Sequence, residues 1–229
     1  LIRMSGHRSI LPCRFTPALN PSPARMSDKP TVFLIDDDQA VRDAVALLLQ
    51  TGGLAVETFA SATDFLEAGV AQRPGCLVLD VRMPGLSGLD LQKQLRTSGY
   101  RIPIIFMTGH GDIPMAIRAM KAGAFDFIEK PFQGQALLAR IQEALAFDVR
   151  ERRRQAYRTE AAARVALLSP REREVLDRVV EGQYNKVIAA ELGISLSTVE
   201  IHRKRVMEKL QAESLSDLIR LLARLDEEQ

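Results

Sequence analysis

Cysteine is scarce in this chain of 229 residues: the two present, Cys13 and Cys76, lie far apart and form no C-x-x-C motif. Two isolated cysteines in a chain of this length are typical of a reducing cytosol. Long apolar runs are also missing, and none approaches the roughly 18 residues that a membrane span requires. The first 25 residues carry four Arg and no acidic residue, and they lack the apolar segment of a secretory signal. We therefore expect a cytoplasmic protein that does not bind a membrane.

A strong charge of either sign is absent as well, because 31 basic and 29 acidic residues leave a net charge of only +2. Residues 31–147 contain 10 basic and 13 acidic residues, and residues 148–229 contain 16 and 15. The chain is not polybasic, so binding to nucleic acid would require a local basic patch. The apolar fraction of 46% suffices for hydrophobic cores, and the length suits one or two domains.

Short apolar, β-branched runs alternate with helix-like stretches over residues 31–147. Such alternation predicts a doubly wound α/β domain with a parallel, five-stranded sheet. The expected strands cover residues 31–36, 54–58, 76–80, 103–107 and 125–129. The expected helices cover residues 39–51, 61–68, 87–97, 114–122 and 133–147.

Polar residues stand at or just past the carboxyl ends of four of these strands: Asp36-Asp37-Asp38, Asp80, Thr108 and Lys130. In a doubly wound sheet the ligand site lies off these strand ends, so the side chains are expected to share one cleft. Two carboxylates about 4 Å apart repel by roughly 1–4 kcal/mol unless a cation joins them, and Mg²⁺ suits such hard oxygens. An aspartate there can itself accept a phosphoryl group, whose oxygens a lysine and a hydroxyl would bind.

Several motifs surround these polar residues in a fixed order: Phe33-Leu34-Ile35-Asp36-Asp37, Leu77-Val78-Leu79-Asp80-Val81-Arg82-Met83-Pro84-Gly85, Thr108-Gly109-His110-Gly111-Asp112-Ile113-Pro114-Met115-Ala116, Lys121-Ala122-Gly123-Ala124 and Phe127-Ile128-Glu129-Lys130-Pro131-Phe132. Together they resemble the receiver domain of bacterial response regulators, and the FixJ-like subfamily in particular. By this resemblance Asp80 is the residue that a sensor histidine kinase phosphorylates. The implied Mg²⁺ ligands are Asp36, Asp37, Asp80 and the backbone carbonyl of Arg82. The remaining implied roles fall to Thr108 and Lys130, which would bind the phosphoryl group, and to Phe127, which would reorient on activation.

Structural alternatives exist for three of these polar or aromatic residues. Phe127 by itself would be a core residue, and Lys130 a surface lysine. Asp38 is expected to cap the helix that starts near Gln39. The resemblance also raises the expectation of a cis Lys130–Pro131 peptide bond, which is rare in other contexts.

After residue 147 the pattern becomes helical. Residues 148–166 are rich in Arg and Ala and are expected to form a helical linker, whose arginines either face solvent or touch phosphates. Ser169-Pro170-Arg171-Glu172 is a capping box that opens a helix to about Val180. Further helices are expected at 185–192, 198–210 and 214–225, with Ser197-Thr198-Val199-Glu200 as a second capping box. The helices at 185–192 and 198–210 have the spacing of a helix-turn-helix.

The helix at 198–210 has two distinct faces. At 100° per residue, Val199, Val206 and Leu210 form the buried stripe. The opposite face carries Glu200, Ile201, Lys204, Arg205 and Glu208. Ile201 is either a single exposed apolar residue or a contact with a thymine methyl group. His202 lies toward the packed side, where a structural role is expected.

Three strings carry a second resemblance: Leu168-Ser169-Pro170-Arg171-Glu172-Arg173-Glu174-Val175-Leu176, Asn185-Lys186-Val187-Ile188-Ala189 and Thr198-Val199-Glu200-Ile201-His202. They resemble LuxR-type helix-turn-helix domains, which implies that the helix near Thr198 is the recognition helix. The residues expected to bind DNA are Lys186, Thr198, Glu200, Ile201, Arg203, Lys204 and Arg205. Many members carry a basic residue in place of Glu200. A carboxylate there suits cytosine N4, unless it serves only the predicted capping box.

The two resemblances together predict a two-component response regulator of the FixJ type, which regulates transcription and is not an enzyme. The expected domains are a disordered extension at 1–29, a receiver at 30–147, a helical linker at 148–166 and a LuxR-type DNA-binding domain at 167–229. Met26 is the expected functional start. The implied partners are a sensor histidine kinase, promoter DNA, RNA polymerase and a second copy of the chain after phosphorylation, and the implied cofactor is Mg²⁺.

Two alternatives stay open at this point. A regulator independent of phosphorylation would use the receiver only to assemble dimers. A flavodoxin-like enzyme or small-ligand binder is a different class, although acidic residues follow the first strand where a Gly-rich phosphate loop would stand. The resemblance also favours a receiver that masks the recognition helix, so a fragment from about Arg164 is expected to bind DNA more tightly than the unphosphorylated full chain.

Overall fold

The computed structural model describes residues 29–109 and 113–226. The predicted disordered extension at 1–29, including the expected start at Met26, lies outside the described residues except for Lys29. The strands are β1 Thr31–Ile35, β2 Ala55–Phe59, β3 Gly75–Asp80, β4 Ile104–Thr108 and β5 Asp126–Glu129. The helices are α1 Gln39–Thr51, α2 Ala62–Glu67, α3 Gly88–Thr97, α4 Ile113–Lys121, α5 Gly134–Ala166, α6 Pro170–Val180, α7 Asn185–Leu192, α8 Leu196–Leu210 and α9 Leu215–Asp226, with a 3₁₀ turn at Val70–Gln72.

The five strands form one parallel sheet in the order β2-β1-β3-β4-β5. Alternate residues of each strand face opposite sides, so β1 contributes Phe33 to a core with α2, α3 and α4, and Leu34 to a core with α1 and α5. Burial on both sides explains why the inner strands are continuous apolar runs. The predicted doubly wound α/β class is confirmed, and the carboxyl ends of β1, β3, β4 and β5 share one edge.

Two local predictions around the receiver loops are also confirmed. Asp38 caps α1, because its Oδ1 accepts hydrogen bonds from the backbone N–H groups of Ala40 at 2.8 Å and Val41 at 3.4 Å. The Lys130–Pro131 peptide bond is cis.

Helix α5 is longer than the helix predicted to end at residue 147. It continues without a break through the expected linker to Ala166, over 33 residues. No Gly or Pro interrupts residues 135–166, so nothing in the backbone breaks the helix. Ion pairs between Asp148 and Arg152 and between Glu160 and Arg164 add support at the i,i+4 spacing. The receiver and the helical domain are thus joined by one helix.

Helices α6 to α9 surround a small core of their own, in which Val175, Ile188, Val199 and Leu218 are fully buried. The predicted capping box at Ser169 is confirmed: the Ser169 Oγ accepts the Glu172 N–H, and the Glu172 carboxylate accepts the Ser169 N–H. The helix-turn-helix boundaries are close to those expected.

The second predicted capping box, Ser197 with Glu200, is wrong. Helix α8 begins at Leu196, and its N-cap is Ser195, whose Oγ accepts the Thr198 N–H at 3.1 Å. The left-handed Gly193 ends α7 so early that the chain is already extended at Ser195. Glu200 therefore has no capping role.

Candidate functional sites

The carboxyl edge of the sheet carries a compact cluster of three charged side chains. Asp36 follows β1 and is 1% exposed, Asp80 ends β3 and is 8% exposed, and Lys130 follows β5. The Lys130 Nζ donates to Asp36 Oδ2 at 2.7 Å and to Asp80 Oδ1 at 2.6 Å. The sequence placed these residues 44 and 50 positions apart, and the sheet brings them together as predicted.

Backbone groups hold the other oxygens of both carboxylates. The Arg82 N–H donates to Asp80 Oδ2 at 2.8 Å, and the Asp38 N–H donates to Asp36 Oδ1 at 3.0 Å. The guanidinium of Arg42 on α1 donates to the Asp36 carbonyl at 2.7 Å. Arg42 stands one turn into α1, a position that carries no separate signal in the sequence.

The cluster has a net negative charge when both carboxylates are ionised. Burial raises the pKa of Asp80, and neighbouring Asp36 adds to this effect, while the Lys130 hydrogen bond opposes it. Burial alone would lower the pKa of Lys130, but its hydrogen bonds to Asp36 and Asp80 outweigh burial and raise it. One lysine thus serves two carboxylates, and a further cation would favour the ionised form of Asp80.

Two buried carboxylates of the cluster, those of Asp36 and Asp80, are suitable ligands for Mg²⁺. Across residues 29–109 and 113–226, no three His, Cys, Asp or Glu side chains converge as a metal site. Asp36 and Asp80 do share a partner in Lys130, and Asp37 lies exposed on the adjoining loop. Because Mg²⁺ commonly takes one or two carboxylates together with phosphate and water, the two buried carboxylates are the residues that would hold it. The fuller set with Asp37 and the Arg82 carbonyl stays a prediction.

Thr108 and Phe127 lie on the paired strands β4 and β5. Thr108 ends β4 and is buried, with its Oγ1 at 3.5 Å from the Ile128 carbonyl. Phe127 on β5 is 42% exposed, so it is not the core residue of the structural alternative. Two other apolar side chains on adjacent α4, Ile117 and Met120, are also exposed. This set of Ile117, Met120 and Phe127 is called the α4–β5 face below.

Helix α8 shows the two faces that its sequence predicts. Val199, Val206 and Leu210 are buried, whereas Ile201 is 52% exposed. The other exposed side chains of that face are Glu200, Lys204, Arg205 and Glu208. A face of mixed charge with one exposed apolar residue, Ile201, therefore projects from the second helix of a helix-turn-helix, the helix that enters the major groove in such domains.

The remaining predicted DNA-binding residues differ in their surroundings. Lys186 is exposed on α7. Arg203 is half-buried, and its Nη1 donates to Asn185 Oδ1 at 2.8 Å, which ties α8 to the start of α7. Thr198 is half-buried within 2.7 Å of the Ser195 hydroxyl. His202 is half-buried too, in keeping with the expected structural role.

Comparison with known proteins identifies both halves of the chain. Residues 32–142 match the response regulator receiver domain, and residues 166–222 match the bacterial regulatory proteins of the luxR family. The transcriptional regulatory protein FixJ of Azorhizobium caulinodans is 49% identical over 86% of this chain and 93% of its own length. The response regulator protein TodT of Pseudomonas putida is 47% identical over 87% of this chain and 88% of its own.

Two solved structures resemble most of the chain. The response regulator StyR has 46% identity and a TM-score of 0.78, covering 86% of this chain and 100% of its own. Full-length FixJ from B. japonicum has 45% identity and a TM-score of 0.55, covering 89% and 100%. None of the helices in the described part of the chain is both long and apolar enough to cross a membrane.

Proposed function

The chain belongs to the response regulators that join a receiver domain to a LuxR-type DNA-binding domain, and we propose that phosphorylation of Asp80 controls its binding to promoter DNA. The observation that carries this proposal is the cluster at the sheet edge, where Lys130 holds Asp36 and Asp80 together. A sensor histidine kinase would be the phosphoryl donor. RNA polymerase as a partner and a cytoplasmic location remain predictions.

The side chains at the edge suit phosphoryl transfer. An Asp80 carboxylate oxygen forms the new bond to phosphorus as the bond between phosphorus and the donor histidine breaks. The Lys130 ammonium then binds a phosphoryl oxygen instead of Asp80 Oδ1, and the Thr108 hydroxyl binds another. Asp36 and Asp80, together with Asp37 and the Arg82 carbonyl, are the groups that would hold Mg²⁺, and the ion would supply positive charge beside the phosphoryl oxygens.

We further propose that phosphorylation promotes dimerisation through the α4–β5 face. Its three apolar side chains are 50% (Ile117), 39% (Met120) and 42% (Phe127) exposed. Phe127 and Thr108 lie on paired strands, two residues out of register, so a phosphoryl group bound by Thr108 can change this face. A phosphoryl group shifts the equilibrium only as far as it stabilises the dimeric state.

Replacing Ile117 with Glu is expected to weaken phosphorylation-dependent dimerisation, because a charge would then be desolvated at the centre of an apolar contact. The dimer dissociation constant should rise by at least about tenfold. Light scattering across micromolar concentrations, with and without a small acyl phosphate, measures this change. Leu47→Glu on exposed α1 is the matched control, since Leu47 is 63% exposed and lies outside the α4–β5 face. Equal loss in both variants would reject this face as the interface.

Lys204→Ala and Arg205→Ala are each expected to weaken DNA binding while the fold stays intact, because both side chains are exposed on α8. A residue that reads a base should cost about 1–3 kcal/mol and relax specificity, whereas a phosphate contact should lower the salt slope by about 1. The operator is first obtained by selection from random DNA, with and without a phosphoryl donor, and affinity is then titrated at several salt concentrations. Arg220→Ala on α9 is the control. Unchanged affinity in both α8 variants would exclude this face as the DNA reader.

The recognition face is exposed in the full chain, so masking by the receiver finds no support in this arrangement. The expected advantage of a fragment beginning near Arg164 depends on masking. Such a fragment would also remove Ala161, which is buried on α5 where that helix packs against α8 and α9. Dimerisation without masking is the switch that the exposed face favours.

A further inference from the structure

A buried carboxylate lies on α5, beyond the last residue of the receiver-domain match. Asp148 is 3% exposed although it stands six residues past the end of the receiver match at residue 142. Its Oδ2 accepts the backbone N–H of Gly75 at 2.9 Å and the Arg152 Nε–H at 2.7 Å. Gly75 begins β3, so this contact lies at the amino edge of the sheet, opposite the phosphoacceptor edge. None of the roles assigned above uses it.

All three guanidinium nitrogens of Arg152 donate hydrogen bonds at the same place. Besides the bond to Asp148, the guanidinium donates from Nη1 to the Gln72 carbonyl at 2.8 Å and from Nη2 to the Arg73 carbonyl at 2.7 Å. Arg73 itself pairs with Glu57 on β2 at 2.7 Å. Exposed ion pairs on a helix contribute little on their own, but here one side chain caps two backbone carbonyls and neutralises a buried carboxylate. The loss of such a partner leaves buried groups unsatisfied.

The other end of α5 is fixed to the DNA-binding domain. Ala161 is 4% exposed, and Val165 packs against the core of that domain. The Arg164 Nη1 donates to the carbonyl of Leu210 at the end of α8 at 3.2 Å. Between these contacts and Arg152, the helix is mostly exposed. A single helix is therefore anchored to the receiver at one end and to the DNA-binding domain at the other.

We propose that Asp148 and Arg152 form an interdomain clasp, which fixes α5 to the amino edge of the sheet and so holds the DNA-binding domain in one orientation relative to the receiver. When two receivers pair, two clasped helices present their DNA-binding domains at a fixed separation. A well-matched separation increases the effective concentration of the second domain at its half-site, and a loose joint reduces it. This consequence rests on the proposed function, whereas the clasp itself does not.

Cys76 supplies a direct measure of the clasp. It follows Gly75 on β3 and is fully buried beneath α5, among Leu137, Ile141 and Ala144. In the full chain with Cys13→Ser, Cys76 is the single thiol. Arg152→Ala is expected to increase the rate of Cys76 modification by a thiol reagent about tenfold, because the helix opens locally from the sheet. The Cys76 modification rate of Arg152→Lys should fall between those of the parent and Arg152→Ala. Lysine lacks the planar fork of a guanidinium and cannot reach all three acceptors.

Arg153→Ala is the matched control, because Arg153 is the exposed neighbour on the same helix, and its Cys76 rate should equal that of the parent protein. Equal rates in Arg152→Ala and Arg153→Ala would overturn the clasp. Asp148→Asn provides a second variant of the pair, which keeps an acceptor for the Gly75 N–H and removes the charge that Arg152 binds. Its rate should lie above that of the parent, and a rate equal to the parent's would count against the pairing.

Operator binding tests the orientation that the clasp imposes. Arg152→Ala should take up phosphate from an acyl phosphate and dimerise like the parent, while the gain in DNA affinity on phosphorylation falls about fivefold. An undiminished gain alongside a faster Cys76 rate would mean that the contact only stabilises the receiver, which would overturn the orienting role. If the parent protein shows neither phosphorylation nor an affinity gain, the proposed function fails, and the thiol measurement still decides whether the clasp exists.

Discussion

Asp80→Asn is expected to abolish the phosphoryl adduct and, with it, the phosphorylation-dependent gain in DNA binding. An amide nitrogen and oxygen cannot replace the carboxylate nucleophile, although the side chain keeps its shape and the Arg82 N–H keeps an acceptor. Intact-mass measurement after incubation with a small acyl phosphate and Mg²⁺ detects the adduct directly. Removal of Mg²⁺ with a chelator should suppress the adduct in the parent protein to a similar extent.

The loss of function in Asp80→Asn should come without a loss of stability. Burial raises the pKa of the Asp80 carboxyl, so its ionised form opposes folding at any pH above that raised pKa. Asparagine removes this charge, and the melting temperature at neutral pH should stay the same or rise. In the parent protein, adduct formation should fall in acid, where protonation of Asp80 removes the nucleophile, and bound Mg²⁺ should move that fall to lower pH because it favours the carboxylate. The exposed control Asp64→Asn should form the adduct like the parent protein, and an adduct that persists in Asp80→Asn would place the phosphoacceptor elsewhere.

Glu172→Gln is expected to destabilise the DNA-binding domain strongly at neutral pH. Glu172 is 3% exposed, and its Oε2 accepts from the Lys209 Nζ at 2.6 Å and from the Ser169 N–H at 2.8 Å. These hydrogen bonds, led by that of Lys209, lower the pKa of Glu172 from its ordinary 4.5 to about 2. A carboxyl shifted this far contributes on the order of 2–3 kcal/mol to the free energy of unfolding.

The pH dependence of that contribution has a definite sign. Because the folded pKa is lower than the unfolded one, the stabilisation is complete above about pH 4.5 and is lost as pH falls toward 2. The melting temperatures of the parent and Glu172→Gln should therefore differ most at neutral pH and converge in acid. Calorimetry between pH 7 and pH 3 measures both curves, and the exposed Glu213→Gln is the control. A constant difference across this range would show that Glu172 stabilises the domain through packing alone.

The sequence predicted the receiver well because its signals are local and repeated. Each inner strand is a short apolar run, and β1, β3 and β4 agree with the expected bounds to within one residue. The cluster of Asp36, Asp80 and Lys130 followed from one topological rule, that parallel strands present their carboxyl ends together. The burial of Val199 and the exposure of Ile201 followed from helical periodicity.

Other features depend on competition between neighbouring signals or on distant contacts. Ser195 and Ser197 both suit a helix N-cap, and only the early end of α7 at Gly193 selects Ser195. Arg203 looked like its neighbours Lys204 and Arg205 in the sequence, but its bond to Asn185 requires the packing of α7 on α8. Asp148 carried no signal at all, since its partner Gly75 is 73 positions away.

Because α5 is unbroken, the direction in which the DNA-binding domain faces relative to the receiver varies periodically with the number of residues in the helix. Each residue inserted between Arg152 and Ala161 would turn the DNA-binding domain by about 100° and move it by about 1.5 Å along the helix axis. A single insertion therefore points the recognition helix in a new direction, whereas seven residues restore its heading to within about 20° and lengthen the arm by about 10 Å. Insertions and deletions in such a linker are expected to come in multiples of about seven residues. Changes of one or two residues should be selected against, although this part of the helix is mostly exposed.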